Sequence, residues 1–180
     1  MSPRVVLVGP MGAGKTTVAD ILARRWGVAV RDTDEDVQAT AGKAIAEIFV
    51  DDGEARFRAL ERAAVAEALR THDGVLALGG GSVLDADTRA ELRDQRVVFL
   101  SVGLADAVKR VGLGVGRPLL LGNVRSRIKA LLDERQPVYA ALAEITVHTD
   151  GREPEDVADE VARLVEAHEQ SSSPRIGGPA

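Results

Sequence analysis

Five short apolar runs punctuate the chain: Arg4–Val8, Val28–Arg31, Val75–Leu78, Arg96–Leu100 and Ile145–His148. They are continuously apolar and rich in Val, Leu and Ile, as parallel strands covered on both faces are. Between them apolar positions recur every three or four residues, the period of a helix. This predicts helices over 17–26, from Val37 to about Arg70, from Asp85 through Leu92, over 104–111, from Asn123 to about Ala143, and from Glu155 to about Ala167. Gly27 ends the first, Gly42 and Asp51-Asp52-Gly53 divide the second, and His72-Asp73-Gly74 turns into the third strand. Pro137, inside a helix, predicts a kink at Arg135. Strands alternating with helices predict an α/β domain, and 180 residues leave no room for a second of ordinary size.

Composition narrows the picture in three places. Aromatic residues are only 3% of the chain, so the core must be built from Val, Leu, Ile and Ala. Lys and Arg number 23 against 28 Asp and Glu, a net charge of −5, which offers no global field for nucleic acid or an anionic membrane. The absence of cysteine excludes disulfides, thiolate metal sites and a cysteine nucleophile. No apolar run approaches a membrane span and no signal-peptide pattern precedes the first strand, so a cytoplasmic protein is the default expectation.

The chemistry starts at Gly9-Pro10-Met11-Gly12-Ala13-Gly14-Lys15-Thr16, which fits G-x-x-x-x-G-K-[ST] between a strand and a helix. Glycines there let consecutive N–H groups turn inward around a phosphate at a helix N-terminus. Lys15 then reaches the β- and γ-phosphates, and the Thr16 hydroxyl suits the magnesium that bridges them. The acidic stretch Asp32-Thr33-Asp34-Glu35-Asp36 has two readings. Thr33 or Asp32 can N-cap a helix whose first turn favours carboxylates, or Asp32 and Asp34 can face magnesium and substrate at the end of a strand beside the P-loop. Glu35 and Asp36 need only the first reading.

Arg58 and Glu61, three apart on a helix, make on spacing alone an exposed ion pair. Gly79-Gly80-Gly81 follows the third strand, and close approach of backbone to a ligand is the expected reason for so costly a run. That strand lacks the terminal aspartate that many P-loop proteins use for magnesium, which leaves the task to Asp32. Gly112 to Gly122 places four glycines around Arg117, the composition of a hinged lid whose arginine swings onto the phosphates or of a mobile surface loop. His72 and His148 are expected to be ordinary solvated histidines.

Five separated motifs then combine: Gly9 to Thr16, Asp32-Thr33-Asp34, Phe57-Arg58-Ala59-Leu60-Glu61, Gly79-Gly80-Gly81, and Arg117-Pro118-Leu119-Leu120 followed by Glu134-Arg135-Gln136-Pro137-Val138-Tyr139. In their order and spacing the chain resembles shikimate kinases over residues 1–168, leaving 169–180 as a tail expected to be disordered. The resemblance implies a P-loop kinase fold, a three-layer α/β/α arrangement with a five-stranded parallel sheet ordered 2-3-1-4-5. It implies transfer of the ATP γ-phosphoryl group to shikimate, with 33–62 as the substrate-binding region and 112–124 as the lid. Asp34, Arg58, Arg135 and Gly79 to Gly81 would contact shikimate. Arg58 and Arg135 would take its carboxylate, and Glu61 would orient Arg58, which moves that pair from surface to site.

By the same resemblance Gly12, Ala13, Gly14, Lys15, Thr16, Thr17 and Arg117 hold ATP, while Arg110, Arg152 and Pro154 flank the adenine. Mg²⁺ sits on Thr16 with Asp32 ordering its waters. Lys15 and Arg117 stabilise the transferring group, and Asp34 holds the attacking hydroxyl. The partners implied are ATP, ADP and shikimate, with no nucleic acid or membrane, for a monomer. Two alternatives stand beside this: a kinase for another small hydroxy acid such as gluconate, and a P-loop binding protein without catalysis.

Overall fold

The structure, a computed structural model, describes residues 1–112 and 121–172. The strands are β1 (Val5–Val8), β2 (Val30–Asp32), β3 (Val75–Ala77), β4 (Val97–Ser101) and β5 (Ile145–His148). All neighbouring pairs are parallel and the order is β2-β3-β1-β4-β5, the predicted one. The helices are α1 (Lys15–Trp26), α2 (Thr33–Ala41), α3 (Ile45–Asp51), α4 (Glu54–Thr71), α5 (Ala86–Leu92), α6 (Leu104–Gly112), α7 (Leu121–Leu142) and α8 (Pro154–Ser172), with a 3₁₀ turn at Ser82–Leu84.

The continuous apolar character of β1 follows from covering both sheet faces. Val5 and Leu7 pack with Val18 and Leu22 of α1 and Val161 and Val165 of α8. Val6 and Val8, on the opposite face, join Val65 and Leu69 of α4, Leu92 of α5 and Tyr139 of α7. A third, smaller cluster of Val37, Ile48, Phe57 and Leu60 binds α2, α3 and α4 to one another at one end of the domain.

Several boundaries differ from expectation in ways that matter for the site. Helix α1 begins at Lys15 rather than Thr17, directly after Gly14 in the left-handed region at φ 86°. Strand β2 runs to Asp32, which then N-caps α2 by accepting the Asp34 N–H at 2.8 Å. His72 is not solvated: it is buried, with Nε2 3.0 Å from the Val75 carbonyl, so it closes the turn into β3. His148 is exposed, as expected.

Helix α8 continues to Ser172 instead of ending near Ala167. The cause is tertiary. Glu169 accepts from Arg4 Nε and Nη2 at 3.0 Å each and from Arg96 Nη1 at 3.3 Å, while Arg4 lies over the Trp26 ring and Trp26 donates to Glu166. Residues 113–120, which include Arg117 and most of the predicted lid, and residues 173–180 of the predicted tail lie outside the described residues.

The hydrogen bonds from Arg4 hold the Glu169 carboxyl below its usual range. The stabilisation is therefore complete above the unfolded value of about 4.3 and is lost as pH falls through the lower folded value. Glu169→Gln should lower unfolding stability by about 1 kcal/mol near neutral pH, a modest loss because the pair is part-exposed. Denaturant titrations across pH check this: the difference from the parent should be constant near neutrality and shrink on acidification.

Candidate active site

The carboxyl ends of β1, β2 and β3 meet at one edge of the sheet, where open α/β sheets bind ligands. β1 leads into the P-loop. Gly9 is needed there because a Cβ would lie 2.5 Å from the Leu100 carbonyl oxygen, and Gly12 because its φ is 84°. Gly14 caps α1 without a side chain, so the first-turn N–H groups remain available to an anion. Lys15 Nζ donates to the carbonyls of Gly9 at 2.7 Å and Pro10 at 3.1 Å. Desolvation pulls its pKa down to about 8 and outweighs the opposing pull of the Asp34 and Asp32 carboxylates.

Asp32 satisfies both of its readings at once. Oδ1 caps α2 through the Asp34 N–H, and Oδ2 accepts from Thr16 Oγ1 at 3.4 Å. A hydroxyl and a carboxylate side by side next to a phosphate cradle fit Mg²⁺, which takes few protein ligands and completes its shell with water and phosphate oxygens. Among the described residues no larger cluster of metal-ligating side chains exists.

The triglycine loop has a structural reason beyond ligand approach. A Cβ on Gly79 would lie 2.5 Å from Asp34 Oδ1 and 3.0 Å from Glu61 Oε2. One on Gly81 would lie 2.5 Å from Arg58 Nη1, and one on Gly80 would lie 3.5 Å from Arg135 Nη1. Each glycine is thus the floor under a different predicted substrate residue. Arg58 donates to Glu61 Oε1 at 2.7 Å, and Glu61 is only 4% exposed. Burial raises the Glu61 pKa against the pull of Arg58, and burial followed by the nearby Asp32 charge raises that of Asp34 against Lys15 and Arg58.

These groups line one cleft of about 660 Å³, shared by Gly12, Gly14, Lys15, Thr16, Thr17, Asp32, Asp34, Arg58, Gly80, Gly81 and Arg135, with Phe49, Phe57 and Leu131 as apolar wall. A second cleft of about 250 Å³ on the other side of the P-loop collects Ala13, Gly14, Thr17, Arg110, Arg152 and Pro154. There Arg110 donates to the carbonyls of Gly12 at 2.9 Å and Thr149 at 2.7 Å, tying the phosphate loop to the turn after β5. Arg152 is braced by the His148 carbonyl and Glu160. Of the predicted site residues, only Arg117 lies outside the described ones.

Sequence reasoning missed the supports. The Thr33 hydroxyl, fully buried, accepts the Gly79 N–H at 3.1 Å; Ser82 donates to the Gly79 carbonyl at 2.7 Å; Tyr139 donates to the Gly80 carbonyl at 2.5 Å. Thr149 at the end of β5 was equally unmarked. Thr33 and Tyr139 stand inside two of the motifs, but neither was given this task, and Ser82 and Thr149 carried no signal.

Comparison with known proteins agrees with this geometry. The family model described as shikimate kinase matches residues 11–166. A shikimate kinase of Salinispora arenicola is 63% identical over 93% of this chain and 100% of its own. The chain belongs to the shikimate kinase family. Membership makes it an ATP-dependent kinase with an alcohol acceptor. A solved shikimate kinase from Acinetobacter baumannii in complex with shikimate superposes with a TM-score of 0.85 at 34% identity, over 93% of this chain and 95% of that one. A gluconokinase from Sinorhizobium meliloti 1021 reaches only 0.56 at 20% identity, over 96% of this chain and 98% of that one, a likeness of fold alone.

The glycine floor yields a prediction. Because the new methyl of Gly81→Ala would press on the end of the Arg58 side chain rather than on backbone, the chain should fold normally while the guanidinium shifts. The KM for shikimate should rise about tenfold or more, the cost of a displaced charged hydrogen-bond partner, with the KM for ATP nearly unchanged. Steady-state kinetics with each substrate varied in turn, alongside thermal melts, measures this.

Proposed function

We propose that the chain transfers the γ-phosphoryl group of ATP to the 3-hydroxyl of shikimate, giving ADP and 3-phosphoshikimate. The observation that carries this reading is the pair Arg58 and Arg135, set over a glycine floor beside Asp34 in the cleft that also contains the P-loop lysine. Two guanidinium groups suit a carboxylate, and a carboxylate beside them suits a hydroxyl on the same small molecule.

In this reading the P-loop N–H groups and Lys15 hold the phosphates, with Gly12, Ala13, Gly14, Thr16 and Thr17 around them. Arg110, Arg152 and Pro154 form the adenine side in the second cleft. Thr16 and Asp32 would hold Mg²⁺, which supplies neutralisation of the β- and γ-oxygens when bound. Arg58 and Arg135 fix the shikimate carboxylate, which aims the 3-hydroxyl at Asp34. Asp34, with its pKa raised by burial, accepts the hydroxyl proton as the new O–P bond forms and the bond to the ADP oxygen breaks. Positioning and charge stabilisation carry most of such a reaction, and Arg117 is assigned to the transferring group by its motif alone.

The enzyme in this reading is a cytoplasmic monomer, a single domain that extends past the predicted 168 to the end of α8 at Ser172, acting on dissolved small molecules. Its acidic excess offers nothing to nucleic acid, and among the described residues no helix is long and apolar enough to cross a membrane.

A coupled ADP-release assay with shikimate and gluconate offered separately tests the substrate. Turnover of shikimate alone is expected; turnover of gluconate alone would replace this reading with the other small-acid kinase. The Lys15 ammonium adds a pH test. In the free enzyme it loses its proton near pH 8, so kcat/KM for ATP should fall as pH rises through that value. Bound phosphates hold the proton on, so kcat should stay level to higher pH. A kcat/KM profile flat through about pH 9 would show that the free enzyme keeps this proton, and Lys15→Met with an unaltered KM for ATP would remove Lys15 from phosphate binding.

A further inference from the structure

Tyr139 is the chain's one tyrosine, and it is fully buried. Its ring packs against Phe99 with centroids 5.0 Å apart, in the core cluster that contains Val6, Val8 and Leu78. A residue needed only for that packing could be phenylalanine. Instead a hydroxyl has been carried into the core, where it must be paired to be tolerated.

Its partner belongs to the candidate site. Oη donates to the Gly80 carbonyl at 2.5 Å, and Arg135 is close enough for its charge to bear on the hydroxyl. Arg135 stands one helical turn earlier on α7, so both side chains leave the same face. A Cβ on Gly80 would touch both, 3.5 Å from Arg135 Nη1 and 3.6 Å from Tyr139 Oη. Arg135 Nε is buried with no hydrogen-bond partner, so that guanidinium has less to hold it than Arg58, which Glu61 grips at 2.7 Å. Burial pushes the Tyr139 pKa up to about 12, and the hydroxyl remains a donor throughout the working range.

We propose that Tyr139 is a positioning residue for the acceptor site: its hydroxyl fixes the Gly80 carbonyl, and with it the backbone over which the Arg135 guanidinium lies. This rests on the preceding reading of Arg135 as a carboxylate ligand. Tyr139 touches no substrate in this scheme and acts only through its two neighbours.

Three variants and one label test it. Tyr139→Phe keeps the ring and removes the bond. It should raise the KM for shikimate about tenfold as the unpaired Gly80 carbonyl shifts, with the KM for ATP near the parent value and the melting temperature somewhat lower. Arg135→Ala should raise the KM for shikimate further than Tyr139→Phe does, and the double variant should be no worse than Arg135→Ala in that KM. Independently, 3-fluorotyrosine incorporation gives one ¹⁹F resonance, and it should shift on titration with shikimate. A folded Tyr139→Phe with an unaltered KM, an equal rise in both KM values, additivity in the double variant, or an unmoved ¹⁹F resonance at saturating shikimate would overturn the proposal. If Arg135→Ala binds shikimate normally, the reading of Arg135 itself fails and the proposal falls with it; if only Tyr139→Phe is normal, the proposal falls alone.

Discussion

The side of the cleft that holds Asp34, Arg58 and Arg135 depends on backbone that must carry no side chains. Gly79, Gly80 and Gly81 are overlain by Asp34, Arg135 and Arg58, which come from three different helices. Two of those approaches leave only 2.5 Å to where a Cβ would stand. Carboxylates and guanidinium groups on separate elements can crowd together only if something flat lies beneath them. The buried bonds from Thr33, Ser82 and Tyr139 keep that floor from moving, and the small core of Val37, Ile48, Phe57 and Leu60 keeps α2 and α4 at a fixed height above it. Packing behind the cleft wall therefore sets the geometry of the cleft.

Charge in the cleft is balanced. Lys15, Arg58 and Arg135 face Asp32, Asp34 and Glu61, so burying the six adds no net charge. Burial nevertheless shifts each group that moves toward its neutral form: Lys15 downward, Asp34 and Glu61 upward, with the opposite charges resisting. Anionic phosphates beside Lys15 tip its equilibrium back toward the charged form. A carboxylate buried without countercharge would be costly, so the cationic arms and the acidic residues have to be desolvated together.

Much of this was legible in the sequence because its signals are local. Apolar runs and glycine breaks marked every strand and helix, and β5 matches its predicted bounds because turns flank it closely. The P-loop and the motif residues identified the cleft's lining. What failed to show was whatever depends on a distant neighbour. His72 reads as a solvated turn residue until the Val75 carbonyl is placed against it. Helix α8 loses its apolar period after Ala167, yet Arg4 and Arg96, far from it in the sequence, hold its next turn through Glu169. The two duties of Asp32 are adjacent in space, but only one is adjacent in sequence.

Strand order explains why donor and acceptor meet. β1 ends in the P-loop and β3, hydrogen-bonded beside it with Leu7 opposite Ala77, ends in the glycine floor. Neighbouring strands lie about 4.8 Å apart, so the phosphate cradle and the acceptor floor are adjacent by construction. A Cβ on Gly80 would stand 3.5 Å from the Gly9 carbonyl, the same carbonyl that receives Lys15. β2 lies one strand further out, with Asp32 opposite Ala77. For Asp32 to approach Thr16, its carboxylate must cross the end of β3. The three glycines that follow Leu78 thus seat Asp34, Arg58 and Arg135 directly beside the loop that carries Lys15.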